Sequence, residues 1–215
     1  MALTSSRPAS AEANLLERTD ALAALEHHFA AVCRSSSGRV VFIGGEAGVG
    51  KTSVVRHFCA HQSMRVWSGA CDALAAPHAL GPLLDIAEAA GGELRAAVAR
   101  GARPYEVAAE LLSALRADRP SIVVLEDLHW ADGATFDVVR LLARRIETAP
   151  VLLLATYRDD QVDRNHPLRV LIGELATGPP IFRLNIGPLS PGAVSQLAEP
   201  VGLDAAELYR NTGGN

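Results

Sequence analysis

The chain has 215 residues, 49% of them hydrophobic, and a formal net charge of -4 at pH 7. This balance and the 5% aromatic content argue against a broad nucleic-acid surface, which needs clustered basic charge or stacking rings. No apolar run approaches the roughly 20 residues that a membrane helix needs. Residues 1–13 lack a signal peptide's apolar core, so we expect a cytoplasmic protein that contacts neither membrane nor nucleic acid directly.

The N-terminal part predicts a tail, a helix and a strand in that order. Residues 1–14 are small and polar, which favours disorder. Thr19 or Asp20 is expected to cap a helix whose apolar positions recur at helical spacing, namely Leu22, Leu25, Phe29 and Val32. The β-prone residues 39–43 then predict the first strand.

A glycine-rich segment follows this strand directly. Gly45, Gly50, Lys51 and Thr52 match the G-x-x-x-x-G-K-[ST] pattern of a phosphate-binding P-loop. Glycines let successive backbone N–H groups turn inward around an anion, and the helix that begins near Lys51 adds its positive end. We therefore expect nucleotide phosphates to be bound by Gly45, Glu46, Ala47, Gly48, Val49, Gly50, Lys51, Thr52 and Ser53.

The rest of the core alternates strands and helices. Strands are predicted at residues 64–68, 121–125, 151–156 and 181–186, and helices at 83–90, 93–99, 104–116, 134–147 and 168–176. Residues 72–82 read as a Pro- and Gly-containing connection. Several strands are continuously apolar rather than alternating, which indicates burial on both faces. The pattern predicts an α/β fold with a parallel sheet covered by helices on both sides.

The composition changes after residue 188. We expect residues 15–188 to form the core, and two short helices to begin near Ser190 and Asp204. Two short helices bury little on their own. We therefore predict that residues 189–215 begin a helical second domain that continues beyond this chain. The alternative is a helical cap on the sheet.

Two carboxylates end the third predicted strand. Glu126 and Asp127 follow four apolar residues, so they should lie at the carboxyl edge of the sheet, where ligands of such folds bind. We expect Glu126, with the Thr52 hydroxyl, to hold Mg²⁺, and Asp127 to orient the attacking water. The two acids could also exchange these roles.

Further candidates follow the third and fourth strands. Asp132 is expected to cap a helix and Trp130 to pack, whereas His129 could either pack or lie near the γ-phosphate. The fourth strand should neighbour the first, which places Arg158 where a guanidinium can meet phosphate charge. The alternative for Arg158 is a surface ion pair with Asp159 or Asp160.

Three segments together carry a family resemblance, namely residues 45–52, 126–132 and 155–158. They resemble the ATPase domain of STAND-class signalling ATPases, and more specifically of the large ATP-binding regulators of the LuxR type. The resemblance runs from about residue 15 to the end, and its most specific part is the Leu-His-Trp-Ala-Asp string after the acids. It implies a P-loop NTPase with a five-stranded parallel sheet in the order 5-1-4-3-2.

The resemblance also implies a function, a nucleotide switch that is ADP-bound at rest and ATP-bound when active. Its cofactors would be ATP or ADP with Mg²⁺, and its sensor and output domains, often with a DNA-binding helix-turn-helix, are absent from this chain. Arg18 and Pro188 are expected nucleotide contacts, although Glu17 replaces the glycine usual before that arginine. The final Thr-Gly-Gly-Asn resembles a motif of the family's helical domain.

Three other functions compete with the switch. A ring-forming AAA motor or replication-initiator-like ATPase usually has an arginine at the end of the helix before strand five, where this chain has none; Arg164 or Arg169 could substitute. A small-molecule kinase would need an acceptor pocket and a lid. A module that binds ATP without turnover is the fourth candidate. Asp127 in place of a longer glutamate favours slow hydrolysis, and nucleotide-dependent self-association is a further expectation.

Overall fold

The computed structural model describes residues 15–73, 79–117, 119–178 and 180–215. The predicted disordered tail, and residues 74–78 of the predicted connection, lie outside these ranges. The described strands are β1 Arg39–Gly44, β2 Val66–Ala70, β3 Ser121–Glu126, β4 Val151–Thr156 and β5 Ile181–Asn185. The α-helices are α1 Thr19–Ser35, α2 Lys51–Ala60, α3 Gly81–Ala90, α4 Gly92–Ala99, α5 Pro104–Ala117, α6 Gly133–Ala143, α7 Pro167–Leu175, α8 Pro191–Ala198 and α9 Ala205–Thr212.

The five strands form one parallel sheet in the order β2-β3-β4-β1-β5. The predicted fold class and strand order are confirmed, since this is 5-1-4-3-2 seen from the other edge. Within the described residues, no helix combines the length and the apolar character needed to cross a membrane.

Each face of the sheet has its own hydrophobic core, because side chains alternate along a strand. Val40 and Phe42 of β1 point into the larger core, which is formed with helices α3 to α7. Val41 and Ile43 point into the second core, which contains buried residues of α1 and α2. A fully buried side chain of this size contributes about 1.5–3 kcal/mol. Burial on both faces explains why these strands are continuously apolar.

Several element boundaries differ from the prediction, and three of the differences have a visible structural origin. Strand β2 begins at Val66 rather than residue 64, because the parallel register pairs Val66 with Ile122 and leaves Met64 exposed. Helix α6 ends at Ala143, and a short 3₁₀ turn at Ile146–Thr148 then buries Ile146 under the sheet. Arg18, not Thr19 or Asp20, occupies the cap position of α1 and makes no side-chain capping bond there.

Close packing between β2 and α3 makes Gly69 a sensitive position. A Cβ atom added there would lie 1.9 Å from the backbone oxygen of Pro82. Gly69→Ala should therefore lower the free energy of unfolding by roughly 1–3 kcal/mol, measured by urea denaturation. Gly133→Ala is the control, since no atom lies within 4 Å of a Cβ added there. Equal unfolding midpoints for the two variants would contradict the close approach.

The carboxyl ends of β1, β3 and β4 meet at one edge of the sheet. Ile43 pairs with Thr156, and Leu125 pairs with Ala155. The residues that follow these pairs, Gly44 and Glu126, are therefore brought to the same edge. Four candidate segments thus converge there, the loop after β1, the acids after β3, the turn after β4 and the start of α2.

Candidate nucleotide-binding site

The loop between β1 and α2 curls because its glycines adopt backbone angles that other residues avoid. Gly45, Gly48 and Gly50 have φ angles of 148°, 82° and 91°. A Cβ atom on Gly45 would also lie 2.4 Å from the backbone oxygen of Ile186. The loop therefore depends on glycine for its shape, as an anion-binding loop does.

Lys51 is the first residue of α2, and its ammonium group lies inside the loop. Its side chain is buried, and Nζ donates hydrogen bonds of 2.7 Å to the backbone oxygens of both Gly45 and Glu46. Burial lowers the pKa of the ammonium, an effect that the carboxylate of Asp127 partly offsets. The loop is thus closed around a cation whose present partners are neutral carbonyl groups.

Thr52 and Glu126 are joined directly. The Thr52 hydroxyl donates a 3.0 Å hydrogen bond to Glu126 Oε2, which connects the P-loop to the end of β3. The exposed Arg56 approaches the other carboxylate oxygen to only 4.0 Å. A hydroxyl and a carboxylate are hard oxygen donors of the kind that Mg²⁺ prefers. The residues present at this position fit a magnesium ion.

Asp127 has an unusual backbone conformation, with a φ angle of 54°. Aspartate tolerates this left-handed region better than most residues do. Its backbone N–H donates a 2.9 Å hydrogen bond to the Thr156 hydroxyl oxygen, so β4 helps to hold the turn. The turn places Asp127 in the lining of the same pocket as Lys51 and Thr52.

Six of the predicted site residues line one pocket of about 200 Å³, and Glu126 is not among them. Its lining combines two glycines of the P-loop with four charged or polar side chains from three segments, and consists of Gly48, Gly50, Lys51, Thr52, Asp127 and Arg158. Volume of this order accommodates phosphate groups. The pocket has cationic and anionic side chains together, as a site for a phosphate–magnesium complex requires.

Arg158 lies over the indole ring of Trp130, with its guanidinium carbon 4.9 Å from the ring centre. In the part of the chain that the structure describes, no ion pair joins Arg158 to Asp159 or Asp160. Trp130 packs on the core, as predicted, and also supports this guanidinium. The described residues therefore do not show the surface ion pair that was the alternative for Arg158.

His129 is buried beneath the site. Neither ring nitrogen has a hydrogen-bond partner among the described residues, and Nδ1 is 3.9 Å from Asp127 Oδ1. Burial lowers the pKa of His129 to about 4, so the ring is neutral at pH 7. Buried polar atoms normally have partners. A small movement would bring the carboxylate of Asp127 within hydrogen-bonding distance of this ring.

Arg18 lies against the P-loop, but its hydrogen bonds all go to backbone oxygens. Its Nη2 donates to Val49 at 3.0 Å and to Gly187 at 2.9 Å, and its Nη1 donates to Glu17. The guanidinium therefore connects the P-loop to the segment after β5. Its predicted contact with the nucleotide stays a prediction, as does that of the exposed Pro188.

Glu17 replaces the expected glycine and has a φ angle of 56°, a conformation that suits glycine. Its carboxylate accepts hydrogen bonds from the backbone N–H and the hydroxyl of Ser190, at the start of α8. Sequence reasoning missed this contact, because the two residues are 173 positions apart. The only sign of it in the sequence was a glutamate at position 17, where glycine was expected.

The last residues also lie beside the P-loop. The backbone N–H of Leu189 donates to Gly214, and the Asn215 amide donates a 3.2 Å hydrogen bond to the carboxylate of Glu46. A Cβ atom on Gly48 would lie 3.6 Å from that of Asn215. The segment after α9 thus contacts the phosphate loop, which the sequence did not predict.

Solved structures share this fold. The ORC2 protein of Aeropyrum pernix, solved as ADPNP-ADP complexes, is 18% identical with a TM-score of 0.63, over 94% of this chain and 54% of that one. Cdc6p from Pyrobaculum aerophilum is 16% identical with a TM-score of 0.59, over 90% and 51%. This chain therefore spans about half the length of these two proteins.

A third similar structure is a STAND protein with a tetratricopeptide repeat sensor from Pyrococcus horikoshii, at 18% identity and a TM-score of 0.50, over 88% of this chain and 28% of that one. At such identities the likeness concerns the fold alone. No protein of curated function matches this chain. The family described as "AAA ATPase domain" matches residues 14–154, well over half of the sequence. With its P-loop and acidic strand end on a parallel sheet, the chain belongs to the AAA ATPase domain family.

Proposed function

We propose that this domain binds ATP or ADP with Mg²⁺ and acts as a nucleotide-dependent switch that hydrolyses ATP slowly. The observation that carries the proposal is the convergence of Lys51, Thr52, Asp127 and Arg158 on one pocket beside the P-loop. Lys51 would exchange its two carbonyl partners for phosphate oxygens. Arg158, held over Trp130, would meet the terminal phosphate and distinguish ATP from ADP.

The hydrogen bond between Thr52 and Glu126 supports giving these two residues to the metal. Bound Mg²⁺ would neutralise phosphate charge. Asp127 is left to accept a proton from, or orient, the attacking water. His129 lies close enough to steady this carboxylate. Burial of the neutral ring and the short reach of aspartate both favour slow turnover, which suits a switch better than a motor.

The context of this switch also belongs to the proposal. The family resemblance places such domains in bacterial signal transduction and transcription regulation, with sensor and output domains elsewhere in the protein. Two contacts would couple the nucleotide to the helices after the sheet, that of Arg18 with Val49 and Gly187, and that of Asn215 with Glu46. Movement of the P-loop on exchange of ADP for ATP would be transmitted through them, and could promote self-association.

The proposal is tested on the protein as purified. After denaturation, the released nucleotide is quantified against protein by chromatography. We expect close to one ADP per chain, because a loop closed around Lys51 should exchange its ligand slowly. A protein that releases no nucleotide, and that also fails to bind MgADP or MgATP on titration, would contradict nucleotide binding. Binding without any change in sedimentation between MgADP and a non-hydrolysable ATP analogue would argue against switching by self-association.

A further inference from the structure

A second polar pocket lies near the P-loop but outside the nucleotide site. It has a volume of about 470 Å³ and is formed between α7, the middle of β5 and the turn after β4. Tyr157, Asp159, Arg169 and Arg183 supply its polar lining, and Gly173 lies at its α7 wall. Its volume is within the range of roughly 300–1,000 Å³ that is usual for small-molecule sites.

The lining of this pocket contains two arginines and one carboxylate, so its charged groups do not balance. In the described part of the chain, neither Arg169 nor Arg183 forms an ion pair with a carboxylate, and both residues are exposed at the pocket mouth. The one carboxylate in the lining, that of Asp159, interacts with the Tyr157 hydroxyl, and burial together with this carboxylate raises the pKa of Tyr157 to about 12. Two guanidinium groups are therefore left to meet an anion that enters from solvent.

The inner wall of the pocket reaches β1. A Cβ atom on Gly44 would lie 2.7 Å from Asp159 Oδ1 and 2.8 Å from the Tyr157 hydroxyl. Glycine at the end of β1 thus makes room for this tyrosine–aspartate pair. The residue between them, Arg158, lines the nucleotide pocket instead. Successive residues of one three-residue turn therefore line two different pockets.

We propose that this pocket binds a small phosphate monoester. Two guanidinium groups match the charge of about -1.5 to -2 that a phosphate monoester carries near neutral pH, and their planar donors suit its oxygens. The Asp159 carboxylate in the lining can accept a hydrogen bond from a hydroxyl group on the ligand. A phosphorylated polyol or sugar carries a phosphate group for the arginines and hydroxyl groups for Asp159, so this ligand class matches the lining more fully than free phosphate does.

The test titrates the protein with glycerol 3-phosphate, inorganic phosphate or glycerol. Binding is detected by NMR from the signals of the arginine Nε–Hε groups. Titrations are made on protein saturated with MgADP and on the Lys51→Ala variant, so that the P-loop does not contribute and the result does not depend on the proposed nucleotide site. We expect glycerol 3-phosphate to bind at least fivefold more tightly than phosphate, and glycerol alone not to bind.

Variants assign the contacts. Replacing Arg169 and Arg183 together with glutamine should weaken glycerol 3-phosphate binding at least tenfold, whereas Arg164→Gln, an exposed arginine nearby that does not line the pocket, should leave it unchanged. Asp159→Asn should reduce the preference for the ester over phosphate. Three results would overturn the proposal. The first is no binding at up to a 20-fold excess of ester over about 1 mM protein. The others are equal affinity for ester and phosphate, and binding that persists after both arginines are replaced.

Discussion

We expect Lys51→Ala to lower the affinity for MgATP and MgADP by a factor of about 100 or more. The ammonium lies within the loop and makes two short hydrogen bonds to carbonyl oxygens, so it is already placed for two phosphate contacts. Charge-assisted hydrogen bonds contribute roughly 1.5–3 kcal/mol each, and 1.4 kcal/mol is tenfold in affinity. Nucleotide binding is measured by calorimetry or by equilibrium dialysis.

The fold should survive this substitution, because burying an ammonium group beside neutral carbonyls does not stabilise the protein. Thermal unfolding without nucleotide is the control for folding. Lys51→Arg is the matched variant: it keeps the charge but should not restore binding, because a planar guanidinium does not fit the space of a compact ammonium. Unchanged affinity in Lys51→Ala would contradict the assignment of the P-loop.

Lys51 allows a second measurement, because it is the only lysine in the chain. An amine-specific reagent can therefore modify just this side chain and the N-terminal amine. Mass spectrometry of the peptide that contains residues 45–56 should show slower modification when MgADP is present. Equal rates with and without nucleotide, under conditions where binding is measured independently, would mean that the ligand does not cover Lys51.

Asp127→Asn should lower the rate of ATP hydrolysis by about 100-fold while MgATP affinity changes less than about threefold. A carboxamide cannot take the proton of the attacking water, which general-base catalysis needs for a contribution of roughly 10²–10⁴. Asparagine also tolerates the φ angle of 54° at this position, so the turn should be preserved. Single-turnover release of phosphate is the measurement, since the wild-type rate is expected to be low.

Asp160→Asn is the matched control, because Asp160 is an exposed aspartate on the next turn that does not line the pocket. Glu126→Gln gives the complementary result: it should weaken the dependence of nucleotide affinity on Mg²⁺, since Glu126 shares a hydrogen bond with Thr52. If the loss of Mg²⁺ dependence appears in Asp127→Asn instead, the two acids have the opposite roles.

Local chemistry made the central features predictable. Backbone angles that require glycine, a lysine at a helix start and an apolar strand that ends in two acids are encoded within short stretches, so residues 45–52 and 121–127 indicated the site before any folding was considered. The cap of α6 was predictable for the same reason, since Asp132 accepts hydrogen bonds from Ala134 and Thr135 only two and three residues away. Strand order came from the family resemblance, not from the strands themselves.

The errors occurred where distant partners decide the outcome. The start of β2 depends on its register with β3, and the end of α6 depends on burial of Ile146 beneath the sheet. Arg18 occupies the cap position of α1 that the sequence predicts for Thr19 or Asp20, and its hydrogen bonds go to Val49 and Gly187, the latter 169 positions away. No periodicity or spacing encodes such a pair.

The sequence alone thus determined that this is a P-loop domain with a doubly covered parallel sheet, because glycine angles, apolar strands and helix caps are local properties of the chain. Only the tertiary structure decided which side chains share a pocket. It joined Thr52 to Glu126, set Arg158 over Trp130 and left Arg169 and Arg183 facing a separate cavity. Those arrangements follow from how strands pair and helices pack, and such packing depends on residues far apart in the chain.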